Sequence, residues 1–99
     1  MVKNTPHYQL SKIIAQMVSI QDMNLPLSAK TGIREAGMTQ TQALAVVQGL
    51  CSKDFYKSMT TNADHRVWQD VYHGQWQSNR LYIKFQKAHE YFVVSFKEL

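Results

Sequence analysis

Leu81-Tyr82-Ile83-Lys84-Phe85 and, after a short link, Tyr91-Phe92-Val93-Val94-Ser95-Phe96 decide the fold class of this 99-residue chain. Large apolar side chains recur at every second position, which is the period of a strand buried on one face. The alternation assigns sides. Leu81, Ile83 and Phe85, with Phe92, Val94 and Phe96, are suited to meet a core, whereas Tyr82, Lys84 and Gln86, with Tyr91, Val93, Ser95 and Lys97, fall on the opposite side. One sheet face therefore gathers tyrosine and lysine side chains.

Working back from this pair, Asp54-Phe55-Tyr56-Lys57-Ser58-Met59 and Val67-Trp68-Gln69-Asp70-Val71-Tyr72 read as two further strands, rich in aromatic and β-branched residues. The links around Gly74 to Asn79 and at His89-Glu90 are too short for parallel crossovers, so the strands are expected as consecutive antiparallel neighbours. The first half of the chain has the helical period instead. Thr5-Pro6 reads as a cap followed by proline at the first helical position, and Leu10, Ile13, Ile14, Met17 and Val18 form a stripe, predicting a helix from Pro6 to Ser19. Asp22 to Leu27 breaks the pattern as a connector or short edge strand. Ser28 is placed to cap a second helix ending at Gly37, with Ala29, Ile33 and Ala36 on one face and Gly32 weakening its middle. Thr39 and Gln42 form a capping box for a third helix with Ala43, Leu44, Val47 and Leu50 as its stripe. Helices followed by strands predict an α+β fold: a mainly antiparallel sheet with about three helices packed on one face, in a single domain over residues 1–99.

Composition limits the function classes. With 44% hydrophobic and 11% aromatic residues spread along its length, the chain is not a disordered segment. The longest uninterrupted apolar run, Ala43 to Val47, is far shorter than the roughly 20 residues of a membrane span, and the first ten residues lack a signal-peptide core. The lone Cys51 can form no internal disulfide, which suits the reducing cytosol. The net charge of +4 is divided evenly: residues 1–50 carry 4 basic and 2 acidic side chains, residues 51–99 carry 7 and 5. Such basicity suits a polyanionic partner without demanding one.

No glycine-rich phosphate loop, GxSxG elbow, HExxH motif or magnesium-type carboxylate cluster is present. His7, His65, His73 and His89 lack short-range ligand spacing, so neither a metal nor another cofactor is expected. What remains is Lys, Tyr, Gln and His on a sheet. RNA carries its own nucleophile, the 2′-hydroxyl, so its cleavage needs only a base, an acid and cations for the charge developing on the phosphate. Residue types alone leave this open, because exposed lysines are usually solvated charges and strand tyrosines usually pack. Trp68, Phe55 and Tyr72 read as packing residues, Met59 and Cys51 as core filler, His65 and His73 as structural, and Trp76 as part of a turn. Lys84 and Lys87 are candidate phosphate contacts.

Larger blocks narrow the choice. Asp54-Phe55-Tyr56-Lys57-Ser58-Met59-Thr60-Thr61, Asp64-His65, Trp68-Gln69-Asp70-Val71-Tyr72 and Val93-Val94-Ser95-Phe96-Lys97-Glu98 closely resemble the MqsR family, messenger-RNA-cleaving toxins of type II toxin–antitoxin systems. Thr5-Pro6-His7 with Leu10-Ser11, and Gly37-Met38, are similar to it as well. The likeness covers nearly the whole chain and is weakest over residues 20–36 and 73–79.

The resemblance implies a RelE-like fold, a twisted sheet with helices against one face and RNA on the other. It implies functional roles for Lys57, Gln69, Tyr82 and Lys97, and it matches His89 to a family histidine that, with Lys84 and Lys87, is assigned to RNA binding. Tyr82 and Lys97 also share a side of the sheet by the alternation above. Also implied are cleavage of mRNA at GCU-type sites, products with 2′,3′-cyclic phosphate and 5′-hydroxyl ends, and neutralisation by a cognate zinc-binding helix-turn-helix antitoxin of the MqsA type. Nothing in the chain resembles a DNA reader, and no membrane partner is expected. Two other readings of the same residues are a non-catalytic RNA-binding or antitoxin-docking module and a structural domain interacting through a sheet edge.

Overall fold

A computed structural model describes all of residues 1–99. Its five strands, β1 (Val2–Lys3), β2 (Phe55–Thr60), β3 (Trp68–Trp76), β4 (Asn79–Ala88) and β5 (Tyr91–Glu98), form one antiparallel sheet in the order β1-β2-β3-β4-β5. Three helices, α1 (Leu10–Gln16), α2 (Leu27–Glu35) and α3 (Gln40–Gln48), pack on one side. The fold is α+β, as expected. No helix is long and apolar enough to cross a membrane.

The core lies between that side of the sheet and the helices. Leu81, Ile83 and Phe85 of β4 and Phe92, Val94 and Phe96 of β5 are all buried, which is the assignment the alternation gave. They meet Ile13 of α1, Met17, Ile33 of α2, and Ala43, Leu44 and Val47 of α3. The Thr39–Gln42 capping box forms in both directions: Gln42 N–H donates to Thr39 Oγ1 (3.1 Å) and Thr39 N–H to Gln42 Oε1 (2.9 Å). Gly37, at φ +77°, ends α2 with the Gly37 N–H on the Arg34 carbonyl and the Met38 N–H on the Ile33 carbonyl. That pair of bonds is a Schellman closure.

Several boundaries differ from expectation, each for a local reason. The first helix starts at Leu10, behind Gln9, and not at Pro6. Residues 7 and 8 are drawn off by the buried carboxylate of Asp70, which accepts from the His7 N–H (3.1 Å), the Tyr8 N–H (2.9 Å) and the Ser58 hydroxyl (2.5 Å). The same helix stops at Gln16, and Val18 is exposed. The backbone there turns into a 3-10 segment, Ile20–Met23, whose Asp22 carboxylate accepts from the Val18 and Ser19 N–H groups. That segment takes up the start of the stretch expected over 22–27, and Asn24 to Pro26 form the connector to α2, with no edge strand. Pro26, not Ser28, precedes α2, because its fixed φ suits the cap position. Cys51 is exposed rather than in the core. β3 and β4 run on to a tight turn at Gln77-Ser78, so Trp76 ends a strand and packs against the core. β1 is a strand the sequence reading did not contain, being two residues long and too short to show a period.

Gly32 does not merely weaken α2. A Cβ built there would lie 2.2 Å from the carbonyl oxygen of Phe96, so the glycine is what lets the helix rest against the backbone of β5. Helix propensity favours alanine by about 1 kcal/mol, whereas a backbone clash forces the helix outward at about 1–3 kcal/mol. Gly32→Ala is therefore expected to lower the thermal midpoint. Gly49→Ala, whose Cβ would meet no atom closer than 3.5 Å, serves as the control and should leave it nearly unchanged. Asp70→Ala strands two N–H groups and a hydroxyl. A loss of about 2–4 kcal/mol is expected in denaturant titration, and a smaller one for Asp70→Asn, which keeps a carbonyl acceptor.

Candidate functional site

The register turns the uncovered face of the sheet into a grid. One row, read across β3, β4 and β5, is His73, Tyr82 and Lys97; the next, from β2, is Lys57, Val71, Lys84 and Ser95; the third is Met59, Gln69, Gln86 and Val93. Lys57, Gln69, Tyr82, Lys84 and Lys97 thus share one face. Tyr56 joins the first row because a register shift between Phe55 and Lys57 turns it onto the same face, where its ring stacks on His73 with centroids 4.3 Å apart. The remaining two candidates lie elsewhere. Lys87 stands opposite Phe92 and so belongs to the helix-covered side of β4, near its exposed end, and His89 is exposed at the two-residue turn into β5 with φ +57°.

Cations and aromatic rings are interleaved here. Lys97 Nζ sits 5.0 Å from the centroid of Tyr82, and Lys57 Nζ lies 5.4 Å from that of Tyr56. Each ring face partly offsets the cost of holding an ammonium near other ammonium groups. Val71, although on the uncovered side, is fully buried between Lys57 and Lys84 in the ladder, and it gives those lysines an apolar floor. Burial, then the charge of Lys97, lowers the pKa of Lys84. Burial, then Tyr56, raises that of Tyr82, so its hydroxyl keeps its proton at neutral pH and is a donor. Gln69 Nε2 donates to Gln86 Oε1 at 2.8 Å, which orients the amide and leaves the Gln69 carbonyl oxygen as an acceptor.

His73 was read from sequence as structural. It stacks on Tyr56, faces Tyr82 with ring centroids 6.2 Å apart, and has a buried Nε2 without a hydrogen-bond partner. Burial, then Arg80, lowers its pKa, so a neutral imidazole stands inside the cationic face. Met59, expected in the core, instead lies half-buried in the third row. No group of three His, Cys, Asp or Glu side chains comes together anywhere in the molecule.

At the β5 side a groove of about 520 Å³ joins this face to α2. Tyr82, Lys84 and Lys97 line one wall and Ser28, Thr31 and Glu35 the other. Thr31 and Glu35 carry no signal in the sequence and Ser28 only that of a helix cap, since all three are ordinary polar positions until α2 is known to lie against β5. A larger hollow of about 700 Å³, between α3 and the β3–β4 hairpin, contains none of the seven candidate residues.

A sequence profile of the family described as "Motility quorum-sensing regulator, toxin of MqsA" matches residues 5–98. The mRNA interferase toxin MqsR of Escherichia coli strain K12 is 39% identical to this chain over 98 residues, covering 99% of each.

Two histidines report on the folded state. Burial, then Lys3, lowers the pKa of His7 against a smaller opposing effect of Asp70, and His73 is lowered as described. For a depressed histidine the unfolded chain takes up the proton first, at about pH 6.5, so stability is full above that value and is lost as pH falls below it. Thermal midpoints are expected to fall between pH 7 and pH 5, and His73→Gln should reduce that fall. The effect separates from the carboxylates Asp22 and Asp64. Their pKa values are lowered by hydrogen bonds from Ser19 and Arg66, and their contributions are lost only below about pH 4.

Proposed function

The chain belongs to the MqsR toxin family, and on that premise we propose that it is an endoribonuclease toxin that cleaves mRNA by attack of the RNA 2′-hydroxyl on the neighbouring phosphate. The observation that carries this reading is the gathering of Lys57, Gln69, Tyr82, Lys84 and Lys97 on the one sheet face that the helices leave uncovered. A sheet face of cations interleaved with aromatic rings fits single-stranded RNA, whose phosphates meet the ammonium groups while its bases stack.

In this mechanism the phosphate lies over Tyr82 and Lys97, neighbours in the ladder, with Lys57 and Lys84 one row away. The 2′-hydroxyl gives up its proton to solvent as its oxygen bonds to phosphorus, and the bond to the 5′-oxygen breaks as that oxygen takes up a proton, giving a 2′,3′-cyclic phosphate and a 5′-hydroxyl. Lys57 and Lys97 hold the non-bridging oxygens, whose negative charge grows in the pentacoordinate state. Tyr82, kept protonated by its surroundings, donates to a phosphate or leaving oxygen. Gln69, fixed by Gln86, accepts from a base edge or a ribose hydroxyl. Lys87 and His89 stand off this grid and contact RNA only at its margin, where a strand leaves the face. The groups that hold the phosphate are side chains of the chain itself, and their type, ammonium, phenol and amide, suits no divalent metal well.

The family resemblance further supports GCU-type cleavage sites and neutralisation by an MqsA-type antitoxin, a zinc-binding protein with a helix-turn-helix domain. These belong to the same proposal.

Incubation with a defined RNA in EDTA, followed by end-group analysis, tests the reading. Discrete cuts with cyclic-phosphate ends are expected. Lys57→Ala should reduce cleavage by a factor of about 100 or more and Tyr82→Phe by about 10–100, with the melting curve of each close to that of the parent protein. Intact RNA from folded, antitoxin-free protein that binds RNA stoichiometrically would instead establish the non-catalytic module.

A further inference from the structure

The groove between α2 and β5 contains an electrostatic anomaly. Its sheet wall carries Lys84 and Lys97, which suit phosphate, yet its helix wall carries the carboxylate of Glu35. A carboxylate beside a polyanion site repels the phosphates it is meant to hold. Glu35 is exposed at the mouth of the groove and is not paired with either lysine, the one ion pair in the molecule being Arg66 with Asp64. Nor do the side chains of Glu35, Ser28 or Thr31 take part in any hydrogen bond within the protein. Ser28, Thr31 and Glu35, at positions i, i+3 and i+7, lie along one stripe of α2, and Gly32 beside them lets that stripe come up against the Phe96 backbone.

From this arrangement we infer that α2 forms a nucleobase-reading wall, in which Glu35 accepts a hydrogen bond from the exocyclic amino group of a base next to the scissile phosphate and so disfavours uracil there. The inference rests on the nuclease reading above and adds a selectivity residue to it. A carboxylate is an acceptor only, so it pairs with N–H groups such as the cytosine amino group. Uracil presents carbonyl oxygens on either side of its single N–H and is repelled. The volume is that of a site for a nucleoside-sized ligand. Tyr82 and Lys97 line the same groove, so a phosphate held by them places the adjoining base within reach of the helix. Ser28 and Thr31 hydroxyls, which donate and accept, support any base and set no preference.

The test is cleavage of a randomised RNA in EDTA, with sequencing of both fragment ends, by the parent protein, Glu35→Gln and Glu35→Ala. The parent protein should exclude uracil at one position beside the cut. In Glu35→Gln, whose amide can donate to a uracil carbonyl, uracil at that position should rise by roughly 10–100-fold with the other positions unchanged. In Glu35→Ala the discrimination should flatten without a new preference. Identical cleavage profiles for all three proteins would overturn the assignment while leaving the nuclease reading intact, as would loss of all cleavage by folded Glu35→Gln. No cleavage by the parent protein would overturn the nuclease reading and this inference with it.

Discussion

The carboxylate of Asp70 is fully buried, and the architecture is organised around keeping it satisfied. An ionised carboxylate without partners in a protein interior costs several kcal/mol, so its three donors, from His7, Tyr8 and Ser58, are obligatory. Meeting that need joins the N-terminal arm to β3 and links β2 to β3 through the Ser58–Asp70 pair. It also fixes which way β3 faces. With Asp70 pinned on the helix side, Gln69 and Val71 are committed to the other side, because a slip of one residue would invert every side chain of the strand. The acid that never touches the uncovered face thus decides what that face displays.

Once the register is set, the chemistry of the face follows from neighbours across strands. Several ammonium groups within a small area repel one another, and the protein spreads them over two rows while placing rings and a valine between them. The residual strain is visible in the lowered pKa of Lys84, caused by burial and then Lys97. A bound phosphate leaves the burial in place but offsets both effects by supplying a negative charge beside the ammonium group. A face of this kind is therefore poised to bind a polyanion, with the free energy of relief spent on the ligand.

The sheet and its sides were legible in the sequence because period-two alternation is a direct imprint of one-sided burial, and Leu81, Ile83 and Phe85 show it without interruption. The third helix was legible through the Thr39–Gln42 box, a purely local device. The first helix was misread at both ends because its boundaries answer to partners distant in sequence or outside the stripe: Asp70, 62 residues beyond Tyr8, competes for the backbone at residues 7 and 8. Tyr56 and His73 could not be paired from sequence, since a bulge carries no compositional mark in Phe55-Tyr56-Lys57. Lys57, Gln69, Tyr82 and Lys97 were singled out together through family blocks. Their residue types alone are those of any wet strand, and the cross-strand register is what now shows them on one face.

The wall formed by α2 illustrates how one structural problem can create a functional surface. β5 is the outer strand, and the carbonyl groups it turns outward invite pairing with another chain. Asn24 Nδ2 donates to the Phe92 carbonyl at 3.0 Å, and the helix, brought close by Gly32, covers the carbonyl of Phe96. At the opposite border β1 is only two residues long, and a short edge strand is itself a defence. The two borders are protected differently, and only the helical solution adds height. A flat sheet face can bind phosphates but offers little to the edge of a base. A helix standing along its border turns the plane into a groove walled by Ser28, Thr31 and Glu35. The longest sequence blocks that resemble the MqsR family fall on β2, β3 and β5, while the weakest likeness spans residues 20–36, which include the whole of α2, so the sheet face is the part held in common and the wall beside it the part free to differ.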